Sequence, residues 1–177
     1  MGTTVEHDGQ AGRRLSRFLT AEWRRGVVFI KEIVPRTAVA AVARIAYGEN
    51  YVALPMSHDI DGDVTPTATY RWTLDGRENS VRVVAAGEAT LPQPGSEEEF
   101  IAEHYWGYSS RGGGATTEYA VEHPPWRVWA ARDAQLDCDV AALYGDAFAP
   151  CLSRPPASAF IAEGSPITVF RGQRLGD

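Results

Sequence analysis

The sequence predicts an α+β domain dominated by antiparallel sheet. Residues 51–60 and 64–73 alternate with a period of two about an Asp-Gly-Asp turn, and a second turn, Asp-Gly-Arg-Glu, leads into a third strand over 79–89. Two or three short stretches of helical spacing lie outside that run. A meander with helices set apart from it is the α+β pattern. At 177 residues the chain fits one domain, assigned to 14–177, behind a polar, disordered tail over 1–13.

Each element has a local reason. Residues 14–24 carry Leu15, Phe18, Leu19 and Trp23 at helical spacing and predict a short amphipathic helix. Residues 26–34, GVVFIKEIV, are β-branched and apolar, a buried strand interrupted by Lys31 and Glu32 and ended by Pro35. The Ala-rich stretch 37–47 predicts a helix stopped by Gly48. After the three-strand meander, LPQPG over 91–95 is a linker. Ser96 with Glu99 is a capping box and opens a helix reaching residue 106. SSRGGG over 109–114 is a loop, 115–123 a strand, Pro-Pro-Trp a break and 127–134 another strand. A helix near 137–144, a Pro-rich loop and strands near 157–162 and 166–171 complete the chain.

Composition excludes several function classes. Apolar residues make up 44% and no run approaches the ~20 residues of a membrane helix. Lys plus Arg is 17 against 23 Asp plus Glu, a net charge of −6. The basic residues form no stripe that would neutralise phosphates, so neither nucleic acid nor an anionic membrane is expected as partner. Cys138 and Cys151 are far apart in no metal-ligand pattern, and MGTTVEHDGQ lacks the apolar core of a signal peptide. A cytoplasmic location is expected.

Strand parity places the candidate site residues. His58 shares a face with Val52, Leu54, Met56 and Ile60 and is expected to point inward. Tyr119, Val121 and His123 share an inward face, as do Ala68, Tyr70 and Trp72. An interior holding two histidines, tyrosines and a tryptophan is polar enough to hold a ligand. A histidine on an apolar face is also an ordinary core residue with a hydrogen-bond partner. Lys31, the single lysine, stands beside Glu32 in an apolar strand. A desolvated lysine amine attacks carbonyls, but both faces of this strand are apolar and parity does not settle its exposure. Three histidines and Glu103 fit no zinc spacing, and neither metal nor cofactor is expected.

Four stretches carry a family resemblance: RRGVVFIKEIVPR, ARIAYGENYVALPM, FIAEHYWGYSSRGGG with AVEHPPW, and SAFIAEGSPITVFRG. Together they resemble the YqjF-like family of uncharacterised bacterial proteins, within the acetoacetate decarboxylase-like superfamily. The resemblance implies a cone-shaped antiparallel β-barrel with flanking helices and a ligand inside the barrel. True decarboxylases follow the Gly-ended helix with Phe-Pro-Lys-Lys, the source of the Schiff-base lysine. Here the stretch is Gly48-Glu49-Asn50-Tyr51-Val52, without lysine. The likeness also sets FLTAEWR beside a strand that lies well inside the family's domain, which implies an internal deletion near Trp23–Gly26 and an incomplete barrel. Open strand edges favour a homodimer.

The preferred functional expectation is a small-molecule-binding barrel without decarboxylase chemistry. Tyr70, Trp72, Tyr119 and His123 would line the pocket, with Tyr51 and His58 at its mouth. The alternatives are a lyase or hydrolase acting on a small carbonyl compound through Lys31 or His123, and a structural or non-functional shortened homologue.

Overall fold

A computed structural model describes residues 25–62 and 64–175. The tail 1–13 and the helix expected over 14–24 lie outside the described residues. The chain is mixed α+β, mostly antiparallel sheet with a few short helices.

The meander follows the sequence pattern. Strands β3 (Met56–Asp61), β4 (Thr67–Leu74) and β5 (Arg77–Thr90) pair antiparallel, with His58 opposite Tyr70 and Trp72 opposite Asn79. The β4–β5 turn is Asp75-Gly76, with φ of 49° and 80°. Positive φ at both central residues matches the right-handed twist of a two-residue hairpin. Strands β8 (Val128–Asp137) and β9 (Phe160–Ala162) extend this sheet to the order β3-β4-β5-β8-β9. Register shifts at Val84/Ala85 and Ala86/Thr90 bend β5, with Gly87 at φ 67° inside the second.

A second sheet is built on β7 (Thr116–Glu122). Strand β6 (Trp106–Ser110) flanks one side; β10 (Thr168–Val169) and β11 (Gln173–Leu175) share the other. Glu118 is buried in it, accepting from Tyr108 Oη at 2.8 Å and Gln173 Nε2 at 2.9 Å. A third ladder pairs β1 (Glu32–Val34) with β2 (Tyr51–Ala53) in parallel. Helix α1 (Thr37–Val42), which continues as a π-helical turn over Ala43–Tyr47, connects them. Gly48 ends it at φ 73°, as its sequence position requires.

Helix α2 (Glu97–Ala102) starts on Ser96, whose Oγ accepts from Glu99 N at 3.2 Å. Glu99 Oε2 reaches back to Gly95 N at 2.6 Å, so the reciprocal bond of the cap falls one residue early. The helix stops at Ala102, short of the expected 106, because Trp106 joins β6. Helix α3 (Val140–Tyr144) is capped by Asp139, and α4 (Ala149–Leu152) follows. Asn79, 1% exposed, ties β5 to that cap by accepting from Asp139 N at 2.8 Å.

Two strand expectations change. The 26–34 run is not one buried strand. Val27 makes a parallel bridge to Gly107, Glu32–Val34 pairs with β2, and Val28, Phe29 and Ile30 between them are exposed. The segment serves two ladders and cannot remain in both. The 51–60 run is also two strands, because the chain leaves the ladder at Leu54-Pro55. Proline has no N–H to donate there.

Candidate functional site

Between the β6–β7 sheet, the β1–β2 pair, α1 and α2 lies a cavity of about 950 Å³. Its lining is mostly apolar, including Val27, Phe29, Val42, Phe100 and Val121. That volume is in the range of small-molecule sites, and apolar walls with a few convergent polar groups are their usual composition.

The convergent groups are Glu32, Tyr51, Glu49 and Tyr119, all lining the cavity. The parallel register sets Glu32 beside Tyr51. Glu49 follows the left-handed Gly48 in a tight turn: Glu49 N donates to Ala43 O at 3.2 Å, and Tyr51 N to Glu49 O at 3.0 Å. The turn directs the Glu49 side chain inward, where the residue is 5% exposed. Tyr119 Oη donates to Glu49 Oε1 at 2.6 Å. Across the strands Tyr119 faces Gly107, where any Cβ would run into the tyrosine ring. Tyr47 meets the Tyr119 ring edge-on at 5.3 Å.

Burial governs the electrostatics. Desolvation lifts the Glu32 carboxyl above the ordinary carboxylate value, partly offset by the Tyr51 hydroxyl and reinforced by the charge of Glu49. Glu49 is lifted by burial and partly restored by Tyr119. Both tyrosine hydroxyls are pushed up, first by burial and then by their carboxylate partners. Glu32 Oε2 is buried without a hydrogen-bond partner.

A histidine pair lies elsewhere on the same wall. His123, 7% exposed, is stacked between Tyr105 at 5.1 Å and Trp126 at 4.1 Å. Its Nδ1 donates to Pro124 O at 2.9 Å. His104 Nδ1 donates to Ile101 O at 2.7 Å. Burial, then the Arg25 guanidinium nearby, holds His104 below its ordinary value.

Of the residues expected from sequence, Tyr51, Tyr119 and His123 meet in this cavity. His58, Tyr70, Trp72 and Lys31 are not among its lining residues. His58 is exposed, against the expectation that it points inward. Its face of the meander is covered at Trp72, 6% exposed, and open at Tyr70, 37% exposed. Parity assigns a face correctly, but it does not say whether anything covers that face. Lys31 Nζ donates to the Leu143 carbonyl oxygen, which ties the amine to α3. Strand alternation singles out neither Glu32 nor Glu49. Glu49 sits in a turn, where parity has no meaning, and Glu32 lies in a segment whose two faces are both apolar. A charged residue placed directly after the helix-stopping Gly48 was the available signal.

Among the described residues, no helix is long and apolar enough to cross a membrane. One family model matches residues 16–166, that of DUF2071, described as an uncharacterized conserved protein (COG2071). No curated protein and no solved structure matches the chain.

Proposed function

The chain belongs to the DUF2071 family, and from that premise we propose that it is a small-molecule-binding module. The cavity carries this reading: about 950 Å³ of mostly apolar wall, with two carboxyls and two tyrosine hydroxyls gathered at one place. The likeness to YqjF-like and acetoacetate decarboxylase-like proteins supports a ligand enclosed by the sheets of an incomplete barrel. Decarboxylation through a Schiff base is not part of the reading. Glu49 occupies the stretch where those enzymes carry their lysine, and Lys31 is held by the Leu143 carbonyl.

Apolar walls supply affinity by removing ligand surface from water, about 25 cal/mol per Å² before the cost of association. Tyr51 and Tyr119 orient polar groups of the ligand, and the stacked His123 holds one wall rigid. The test is native mass spectrometry. The expected result is one discrete small-molecule mass per folded chain, either co-purified or after incubation with Nile red. A folded chain that stays bare in both cases overturns the reading.

A further inference from the structure

On the reading of the cavity as a ligand site, we infer that it takes an apolar amine, whose ammonium group is held between the carboxyls of Glu32 and Glu49. Four observations lead there.

The cavity gathers two carboxyls, and the basic side chains in its described lining are the imidazoles of His104 and His123. Among the described residues lining it, none is lysine or arginine. Of the nearby cations, Arg25 lies over the Phe100 ring at 4.9 Å and donates to Glu103 O at 3.3 Å, and Arg111 and Lys31 are held by other groups. Arg111 Nε donates to Thr117 Oγ1 at 2.7 Å, and its terminal nitrogens donate to the carbonyls of Ile45 and Ala46. It caps the carbonyl end of the α1 extension, where a positive charge complements the helix dipole. Lys31 is bound to Leu143 O.

The acids are also short of donors. Glu49 is 5% exposed and receives the Tyr119 hydroxyl on Oε1. Glu32 Oε2 is fully buried and receives none. Buried polar atoms normally have a partner, and leaving one without costs about 1–3 kcal/mol, more for a charged group. An ammonium brings three N–H donors and no acceptor, the complement of two carboxylates and their tyrosines.

The two carboxyls repel each other's charge, as Glu49 acting on Glu32 shows. A cation between them reverses the sign of that interaction and favours ionisation of both. Finally, Tyr47, Tyr119 and Trp106 line the same space. Aromatic faces attract ammonium groups, and the remaining apolar wall suits a hydrocarbon or aryl tail.

The experiment is displacement of Nile red by three probes of one shape and different charge: 4-phenylbutylamine, 4-phenylbutanol and 4-phenylbutyrate. It is run at about pH 7.5, where an alkyl amine is protonated. The amine is expected to bind about tenfold or more tighter than the alcohol, with the carboxylate weakest, as one charge-assisted hydrogen bond implies. Glu32→Gln and Glu49→Gln should each reduce the ratio of amine to alcohol affinity, because the amide keeps the volume and loses the charge. The wild-type ranking needs no variant to fold. Equal binding of amine and alcohol, a preference for the carboxylate, or failure of all three to displace bound dye overturns the amine assignment and leaves the cavity reading intact. Failure of the dye itself to bind removes both.

Discussion

Glu32 and Glu49 are carboxyls that folding makes harder to ionise, and that has a definite sign in a pH titration. A group whose folded pKa is raised holds its proton more tightly in the native state. Its favourable contribution is complete below the ordinary value of 4.5 and is lost as pH rises through the folded value. Glu32→Gln removes that dependence. Thermal unfolding should show the variant gaining on the wild type between mildly acid and neutral pH, with little difference at acid pH; a constant offset at all pH values would contradict it. Tyr119→Phe acts in the opposite direction. It leaves Glu49 Oε1 buried without its donor and should cost about 1–3 kcal/mol in urea unfolding at neutral pH. A loss within a few tenths of a kcal/mol would show that the hydroxyl is not paired in solution. Tyr119 was legible because β7 runs unbroken, so its alternation survives to the wall of the cavity. The acids were not legible, because one lies in a turn and the other in a segment whose two faces are both apolar.

At the level of elements, the cavity wall depends on a cross-strand pair and a helix cap. Gly107 leaves room for the Tyr119 ring, so Gly107→Ala forces the ring off Glu49. The expected cost is about 1–3 kcal/mol, as for other overpacked sites. Combining Gly107→Ala with Tyr119→Ala should cost less than the sum of the single changes, because the overlap exists only with the ring present; strict additivity in a double-mutant cycle would contradict this. Ser96→Ala removes the cap of α2, which carries Phe100 and Ile101 into the cavity lining. It should lower stability by about 1 kcal/mol and weaken dye binding, with unfolding and titration as the two readouts. The cap, the Asp75-Gly76 turn and the Gly48 stop were all readable locally, since each is fixed by a few adjacent residues. The 51–60 and 26–34 runs were misread because their breaks come from a proline and from a change of ladder partner, and periodicity registers neither.

The cavity belongs to the whole molecule. Its walls come from four separated parts of the chain, near residues 26–51, 100–107, 119–126 and 167–169. No local pattern records that they meet, so the sequence indicated a polar-lined interior without its location. Parity sets Tyr119 and His123 on an inward face, and both line the cavity; Tyr51, which alternation sets on the face opposite His58, lines it too, while His58, Tyr70 and Trp72 belong to the other sheet. The cavity opens through apolar residues that are themselves exposed, Val28 at 63%, Val42 at 60% and Phe100 at 56%. A ligand can therefore enter without unfolding of the sheets, and binding should be fast. Filling the space from within separates a real binding site from loose surface adsorption. Nile red titrated into the wild-type chain and into Val121→Trp, whose larger side chain occupies the cavity, tests this directly. The expected result is a saturable rise in emission at one dye per wild-type chain, weakened about tenfold or more in the folded variant. No saturable rise, or the same affinity in both proteins, would contradict the binding site described for this fold.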